Sequence, residues 1–277
     1  MCQDDNKRQF ITRITSHRQL TRDIWELRCD LPSGMLSASP GQFVMIEVSP
    51  SLQPFLRRPF SIAYRQPAPS GKGEEFAVIY RVVGEGTRRL KSLSPGDEVN
   101  IIGPLGRGFT WPRRDDRRPV LIGGGLGVPP LLFLAQRMVA SGVVPQFFAG
   151  FTRADQAVGL DMLSELGVVP VVATDDGSLG RRGLVTELLP DPPPGDLCVY
   201  SCGPLPMLQA VASWCRTGRI PCEVSLENRM ACGVGACLGC AWPAAVPESH
   251  DRDSRRYVLI CKDGPVFAAE EVFAFDR

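Results

Sequence analysis

The sequence predicts a multi-domain β plus α/β protein: an N-terminal antiparallel β-barrel, a central parallel α/β domain and a small cysteine-rich end. Three observations predict it. Up to about Thr110, short β-type runs at 43–48, 76–83 and 98–102 are separated by turns, Pro40-Gly41 and Pro95-Gly96 among them. From Val120 onward, apolar runs alternate with helical segments. From Glu223 the helical patterns stop, and glycines and cysteines dominate. The expected boundaries are 8–112, 117–222 and 223–277.

Many short strands joined by Gly/Pro turns suit a barrel. In the polar stretch 111–119, Asp115 and Asp116 interrupt Arg113, Arg114, Arg117 and Arg118, which reads as a solvated linker rather than a binding patch. Beyond it, 120–122 reads as a buried strand, 131–140 as a helix and 146–150 as a second strand. Further strands are expected at 168–173 and 197–201, and helices at 160–166 and 206–215. This alternation indicates a parallel sheet covered by helices on both faces.

Bulk properties exclude several classes. A formal charge of +1 over 277 residues gives no basic field for nucleic acid. The first residues, Met1 to Lys7, lack the apolar core of a signal peptide, and no stretch approaches a membrane span of roughly 20 residues. A cytoplasmic location is expected. There, ten cysteines are metal ligands, redox groups or core residues rather than disulfides.

Cys232, Cys237 and Cys240 are spaced C-x4-C-x2-C, with Cys261 further on. This is the plant-type spacing of a [2Fe–2S] cluster, whose ligand set a distant cysteine completes. Gly233, Gly235 and Gly239 let the backbone wrap closely, with N–H groups toward the sulfurs. Structural zinc also takes four thiolates, but from two close pairs, which this spacing fits poorly. Cys2, Cys29, Cys198, Cys202, Cys215 and Cys222 lack such spacing and read as small core residues, Cys222 being a poor alternative ligand.

Arg57-Arg58-Pro59-Phe60-Ser61 follows a strand and a turn. An arginine fork suits a pyrophosphate, proline fixes the backbone, and Ser61 offers a hydroxyl and an N–H to a flavin ring edge. Ile79-Tyr80-Arg81 ends a strand, and Gly84-Glu85-Gly86-Thr87 turns into a helical run over 88–93, where glycines admit a phosphate. Each piece alone is compatible with a surface turn; together they indicate a flavin site.

Leu121-Ile122-Gly123-Gly124-Gly125-Leu126-Gly127-Val128 reads as strand, glycine loop and helix start, offering N–H groups to a dinucleotide. It departs from G-x-G-x-x-G because Val128 stands in the third glycine's place. Asp175, in Thr174-Asp175-Asp176-Gly177-Ser178, is a candidate ribose contact; Cys202, in Cys202-Gly203-Pro204, is a candidate neighbour of a nicotinamide.

In this order, the pieces resemble the electron-transfer subunits of bacterial NAD-linked dihydroorotate dehydrogenase B, within the ferredoxin–NADP reductase superfamily. The resemblance runs from about Phe10 to Phe267. It is carried by Arg58-Pro59-Phe60-Ser61, Gly86-Thr87, Gly103-Pro104-Leu105-Gly106, Gly123-Gly124-Gly125, Cys202-Gly203-Pro204, Glu227 to Cys237, and Cys261-Lys262-Asp263-Gly264-Pro265-Val266-Phe267. It implies FAD at Arg58 to Ser61, Ile79 to Arg81 and Gly86-Thr87, and the cluster at Cys232, Cys237, Cys240 and Cys261. It also implies an FMN-containing catalytic subunit, joined as a heterotetramer of two of each, serving pyrimidine biosynthesis. The charged linker 249–256 is a departure.

With two histidines, His17 and His250, and no pyrimidine pocket in evidence, dihydroorotate chemistry is expected on the partner and no catalytic side chain here. Electrons would pass from the partner flavin through [2Fe–2S] and FAD to NAD+. The rival readings are the small subunit of another flavin and iron–sulfur enzyme, of ferredoxin–NADP oxidoreductase or sulfide dehydrogenase type, and a zinc-stabilised interaction protein. NAD against NADP is open, since Arg153, Arg181 or Arg182 could meet a 2′-phosphate.

Overall fold

The computed structural model describes residues 8–31, 37–49, 53–69, 71, 73–113, 116–245 and 257–274. Met1 to Lys7, Cys2, His250, Arg114, Asp115 and the charged linker 249–256 lie outside these. The first sheet holds β1 (Arg8–Gln19), β2 (Ile24–Leu31), β3 (Phe43–Ile46), β4 (Arg58–Ser61), β5 (Tyr64–Pro67), β6 (Glu74–Arg81) and β7 (Glu98–Leu105). Its order is β4-β3-β7-β1-β2-β6-β5, every pairing antiparallel. Ile14, Leu27, Val44, Ile46, Phe76, Val78 and Ile101 fill its interior. The barrel is therefore as expected, but open between β4 and β5.

Helix α1 (Glu85–Lys91) starts at the glycine turn itself, three residues earlier than expected. Thr87 explains this. Its Oγ1 accepts hydrogen bonds from the Gly84 and Val83 N–H groups at 3.1 and 3.0 Å, so the turn is already the helix start.

The second sheet is built from β8 (Arg118–Gly124), α2 (Val128–Ala140), β9 (Gln146–Phe151), α3 (Leu160–Glu165), β10 (Val171–Thr174) and β11 (Arg181–Arg182). It continues with β12 (Leu197–Cys202), α4 (Leu205–Thr217) and β13 (Cys222–Ser225). After a two-stranded ribbon of β14 (Ala241–Pro243) and β15 (Tyr257–Leu259), β16 (Val266–Ala268) returns to it, antiparallel beside β13. The order is β11-β10-β9-β8-β12-β13-β16. Chain order reverses across β8 and β12, and ligands of such sheets settle at that switch point, beyond the strand carboxyl ends.

Three details correct the sequence expectations. Helix α2 begins at Val128, because Pro129 and Pro130 occupy its first turn, where the missing N–H groups would have no partner anyway. The arginine run is not all linker: Arg118 opens β8 and pairs with Asp196 at 2.8 Å, while Arg117 donates to the Gly195 carbonyl. Helices do not stop at Glu223, since a one-turn α5 (Ala269–Val272) follows β16. No helix among the described residues is long and apolar enough to cross a membrane.

Candidate functional site

Three parts converge where the two sheets meet. In the barrel, β4 is the end strand, so one edge of its backbone has no strand partner, and Arg58, Pro59, Phe60 and Ser61 along it are half-buried. The Arg58 guanidinium lies over the first turn of α1: a Cβ on Gly86 would stand 2.8 Å from Arg58 Nε. Arg58 Nη1 donates to the Leu56 carbonyl. A cation and unpaired helix N–H groups thus share one spot, the chemistry a pyrophosphate asks for.

Ile79 and Tyr80 are buried and Arg81 half-buried. The Tyr80 ring lies 5.4 Å from that of Phe60, and its Oη is 2.9 Å from His17 Nε2. His17 Nδ1 is 2.7 Å from the Leu93 carbonyl, to which it can only donate, so Nε2 accepts from the Tyr80 hydroxyl. Burial pushes the Tyr80 phenol up, keeping it protonated. Arg81 Nε lies 3.1 Å from Asp23 within the barrel, and its Nη2 donates to Gln156 Oε1 at 3.3 Å, tying the barrel to the segment after β9.

At the carboxyl ends of the parallel strands lies a cleft of about 610 Å³. Gly124, Gly125, Gly127, Asp175, Gly203, Pro204 and Arg81 line it. Gly125, at φ +54, has nothing within 4 Å of where a Cβ would stand, so a ligand can approach its backbone. Gly127 has the opposite situation: a Cβ would fall 2.1 Å from the Cys202 carbonyl oxygen.

Two expected contacts stand back from the cleft. Gly123 is packed under Val128, and Cys202 is buried, paired across the strands with Ser225. Of the three candidate arginines, none lines the cleft. Arg153 pairs with Asp155 at 3.2 Å, and Arg181 donates to the Glu187 carbonyl. Sequence reasoning missed Gln156, Met207 and Trp242, which also line it, and it met Glu227, another lining residue, only at the head of the run that carries the family resemblance. Its place at the start of that run was the available signal for Glu227.

The cysteine loop forms the third part. The N–H groups of Val234 and Ala236 point at Cys232 Sγ (3.4 and 3.3 Å), that of Gly235 at Cys261 Sγ (3.2 Å) and that of Gly239 at Cys237 Sγ (3.4 Å). The Cys261 N–H points at Cys240 Sγ, 3.4 Å away. Gly233, Gly235 and Leu238 hold positive φ, which curls the loop into this nest. Burial works to raise the Cys232 thiol, but the N–H groups of Val234, Cys237 and Ala236 outweigh it and bring it down to about 6. Cys240 and Cys261 are buried, Cys232 half-buried and Cys237 exposed.

Among the described residues, no three His, Cys, Asp or Glu side chains form a group suited to a single metal ion. The thiols instead influence one another most closely in two pairs, Cys232 with Cys237 and Cys240 with Cys261. Two thiolates per iron is the arrangement a two-iron cluster needs, so the donor set fits that group better than zinc. Cys222 stands apart from the loop: it is buried beside Cys215 in the second sheet's core.

Residues 227–273 match the iron–sulfur cluster binding domain of dihydroorotate dehydrogenase B, and residues 12–110 match the oxidoreductase FAD-binding domain. The electron-transfer subunit of dihydroorotate dehydrogenase B (NAD(+)) from Lysinibacillus sphaericus is 40% identical over 94% of this chain and 96% of its own. The chain belongs to the family of dihydroorotate dehydrogenase B electron-transfer subunits. The member from Listeria monocytogenes is 42% identical over 84% of this chain and 87% of its own. Among solved structures, an NADH-dependent reduced ferredoxin–NADP oxidoreductase matches with a TM-score of 0.75, at 26% identity over 95% of this chain and 89% of that one. In this dihydroorotate dehydrogenase B electron-transfer subunit, then, a FAD-binding domain and an iron–sulfur domain occupy one chain.

Proposed function

We propose that this chain carries electrons from the FMN of a dihydroorotate dehydrogenase catalytic subunit, by way of a [2Fe–2S] cluster and FAD, to NAD+. In this reading it works in the cytoplasm, in pyrimidine biosynthesis, within a heterotetramer of two subunits of each kind. The observation that carries the reading is the meeting of the cysteine loop with the flavin strand's neighbour. A Cβ on Gly233 would stand 2.5 Å from Cγ of Met45, and Met45 pairs with Pro59 of β4.

FAD, when bound, supplies the exchange between single electrons and the two-electron hydride of nicotinamide. The protein's own tasks are to hold and to shield. Arg58 and the first turn of α1 hold the FAD pyrophosphate, and the β4 edge with Phe60 and Ser61 holds its ring. Cys232, Cys237, Cys240 and Cys261 hold the cluster, and N–H groups of the loop stabilise charge on the sulfurs. Gly125 and Gly127 receive the nucleotide's pyrophosphate, Asp175 its ribose, and Gly203-Pro204 borders the nicotinamide.

Exposed Cys237 and Leu238, on the outer side of the loop, suit a partner that docks there. The test is co-purification with the catalytic subunit followed by dihydroorotate-dependent reduction of NAD+. Formation of NADH by the complex, and by neither subunit alone, supports the proposal. The likeness to a ferredoxin–NADP oxidoreductase favours a second reading, the small subunit of such an enzyme. A complex that ignores dihydroorotate but reduces ferredoxin would decide for it.

A further inference from the structure

The FAD cradle proposed above has two halves, the first turn of α1 for the pyrophosphate and the β4 edge for the ring. Among the described residues no backbone hydrogen bond joins them. One side chain reaches toward both. His17, near the end of β1, is half-buried. Its Nδ1 donates at 2.7 Å to the carbonyl of Leu93, just beyond the end of α1. Its Nε2 accepts from the Tyr80 hydroxyl at 2.9 Å, and the Tyr80 ring lies 5.4 Å from that of Phe60 on β4.

The strands put the imidazole there. His17 pairs with Leu27 across β1 and β2, and Trp25 pairs with Tyr80 across β2 and β6. Side chains alternate along a strand, so these four share the interior face of the barrel. A polar ring in that position needs a partner for each nitrogen, and His17 has both. The Trp25 ring meets the imidazole edge-on at 5.1 Å. Lys91, the last residue of α1, holds its ammonium 5.2 Å from the centre of the Trp25 ring, and Leu90 of the same helix is fully buried in the barrel interior. The helix is thus seated on the barrel through His17 and its neighbours. A neutral imidazole supplies one donor and one acceptor at the required separation. A phenylalanine would fill the volume but leave the Leu93 carbonyl and the Tyr80 hydroxyl without partners.

We propose that His17 is a positioning residue for FAD: it sets the helix start that takes the pyrophosphate against the strand edge that takes the ring. The inference rests on the FAD reading of α1 and β4. His17 acts through Leu93 on one side and through Tyr80 and Phe60 on the other, without touching the cofactor.

The test is fluorescence titration with FAD of the cluster-loaded full chain stripped of flavin, comparing wild type, His17→Phe, His17→Gln and Arg58→Ala. His17→Phe keeps a ring and loses both hydrogen bonds, and is expected to bind FAD more weakly by on the order of tenfold. His17→Gln, whose amide can donate to Leu93 and accept from Tyr80, is expected to recover most of that loss. Equal iron content and circular dichroism confirm that the fold is intact. If His17→Phe does not fold, Tyr80→Phe, which removes only the shared hydroxyl, carries the comparison with an expected loss of roughly fivefold. Wild-type affinity in His17→Phe, or in Tyr80→Phe standing in for it, overturns the inference, as does a glutamine variant as weak as the phenylalanine one. In those cases a weakened Arg58→Ala leaves the FAD reading of the cradle standing. Arg58→Ala with wild-type affinity removes that reading, and this inference with it.

Discussion

Met45 of the first sheet and Gly233 of the cysteine loop touch: a Cβ on the glycine would lie 2.5 Å from Met45 Cγ and 2.9 Å from its sulfur. Met45 is fully buried in β3, whose partner strand carries Arg58 to Ser61, and Gly233 follows Cys232 at φ +72. The contact makes the cysteine loop a fitted cover on the flavin strand's neighbour rather than an independent appendage.

Gly233→Ala should therefore harm the cluster before the flavin. Left-handed backbone costs an alanine about 1–2 kcal/mol, and overpacking against Met45 adds about 1–3 kcal/mol. The expected result is lost iron with FAD retained, read from absorbance and iron assay. A shortened side chain at Met45 should partly restore iron by relieving the second cost.

Arg58→Ala should weaken FAD. A hydrogen bond to a charged group contributes about 1.5–3 kcal/mol, so FAD should bind roughly 10- to 100-fold less tightly. Fluorescence titration of protein stripped of flavin measures this. Iron content should be unchanged, since Arg58 is directed to α1 and not to the cysteines.

Gly127→Ala places a methyl group 2.1 Å from the Cys202 carbonyl oxygen, backbone against backbone, so the loop after β8 must shift. NAD+ affinity should fall by about tenfold or more while FAD and iron stay bound, at a stability cost of about 1–3 kcal/mol. Calorimetric titration separates the two effects.

The barrel should resist acid through Glu26. Tyr64 Oη donates to it at 2.7 Å, and Arg18 and Arg28 lie at 2.6 and 2.9 Å. Burial works to raise the carboxyl, but the hydrogen bonds from Arg18 and Tyr64 and the charge of Arg28 outweigh it and hold it below its usual range. A carboxyl lowered by folding contributes stability in full above its unfolded pKa of about 4.3, and loses it as pH falls through the folded value. Glu26→Gln should cost about 3 kcal/mol at neutral pH, near the low end for a buried pair because Arg18 is half exposed. It should also flatten the acid limb of melting temperature against pH.

Much of this was legible because the chemistry is punctuated. The C-x4-C-x2-C spacing and the strand–glycine–helix pattern at 121–128 marked the loop and the cleft before any fold was known. What stayed hidden depends on tertiary partners. Pro129-Pro130 concealed the start of α2, since prolines break helices everywhere except the first turn. Strand β13 is four residues long, and β16 pairs with it from forty residues away, so neither shows a period. Cys202 sits beside a nucleotide loop in sequence, but the alternation of β12 turns its thiol toward Ser225, away from the cleft. Glu227 was legible as the head of the run that carries the resemblance, but its place at the cleft comes from the fold.

The most direct test of the account is metal and sulfide analysis of anaerobically prepared protein, wild type and Cys237→Ser. The account predicts iron and labile sulfide in wild type at about two of each per chain. In Cys237→Ser both should be lost, with FAD kept and NADH still reducing a flavin-reactive dye. Zinc in place of iron and sulfide, or dye reduction abolished while iron is unchanged, would contradict it.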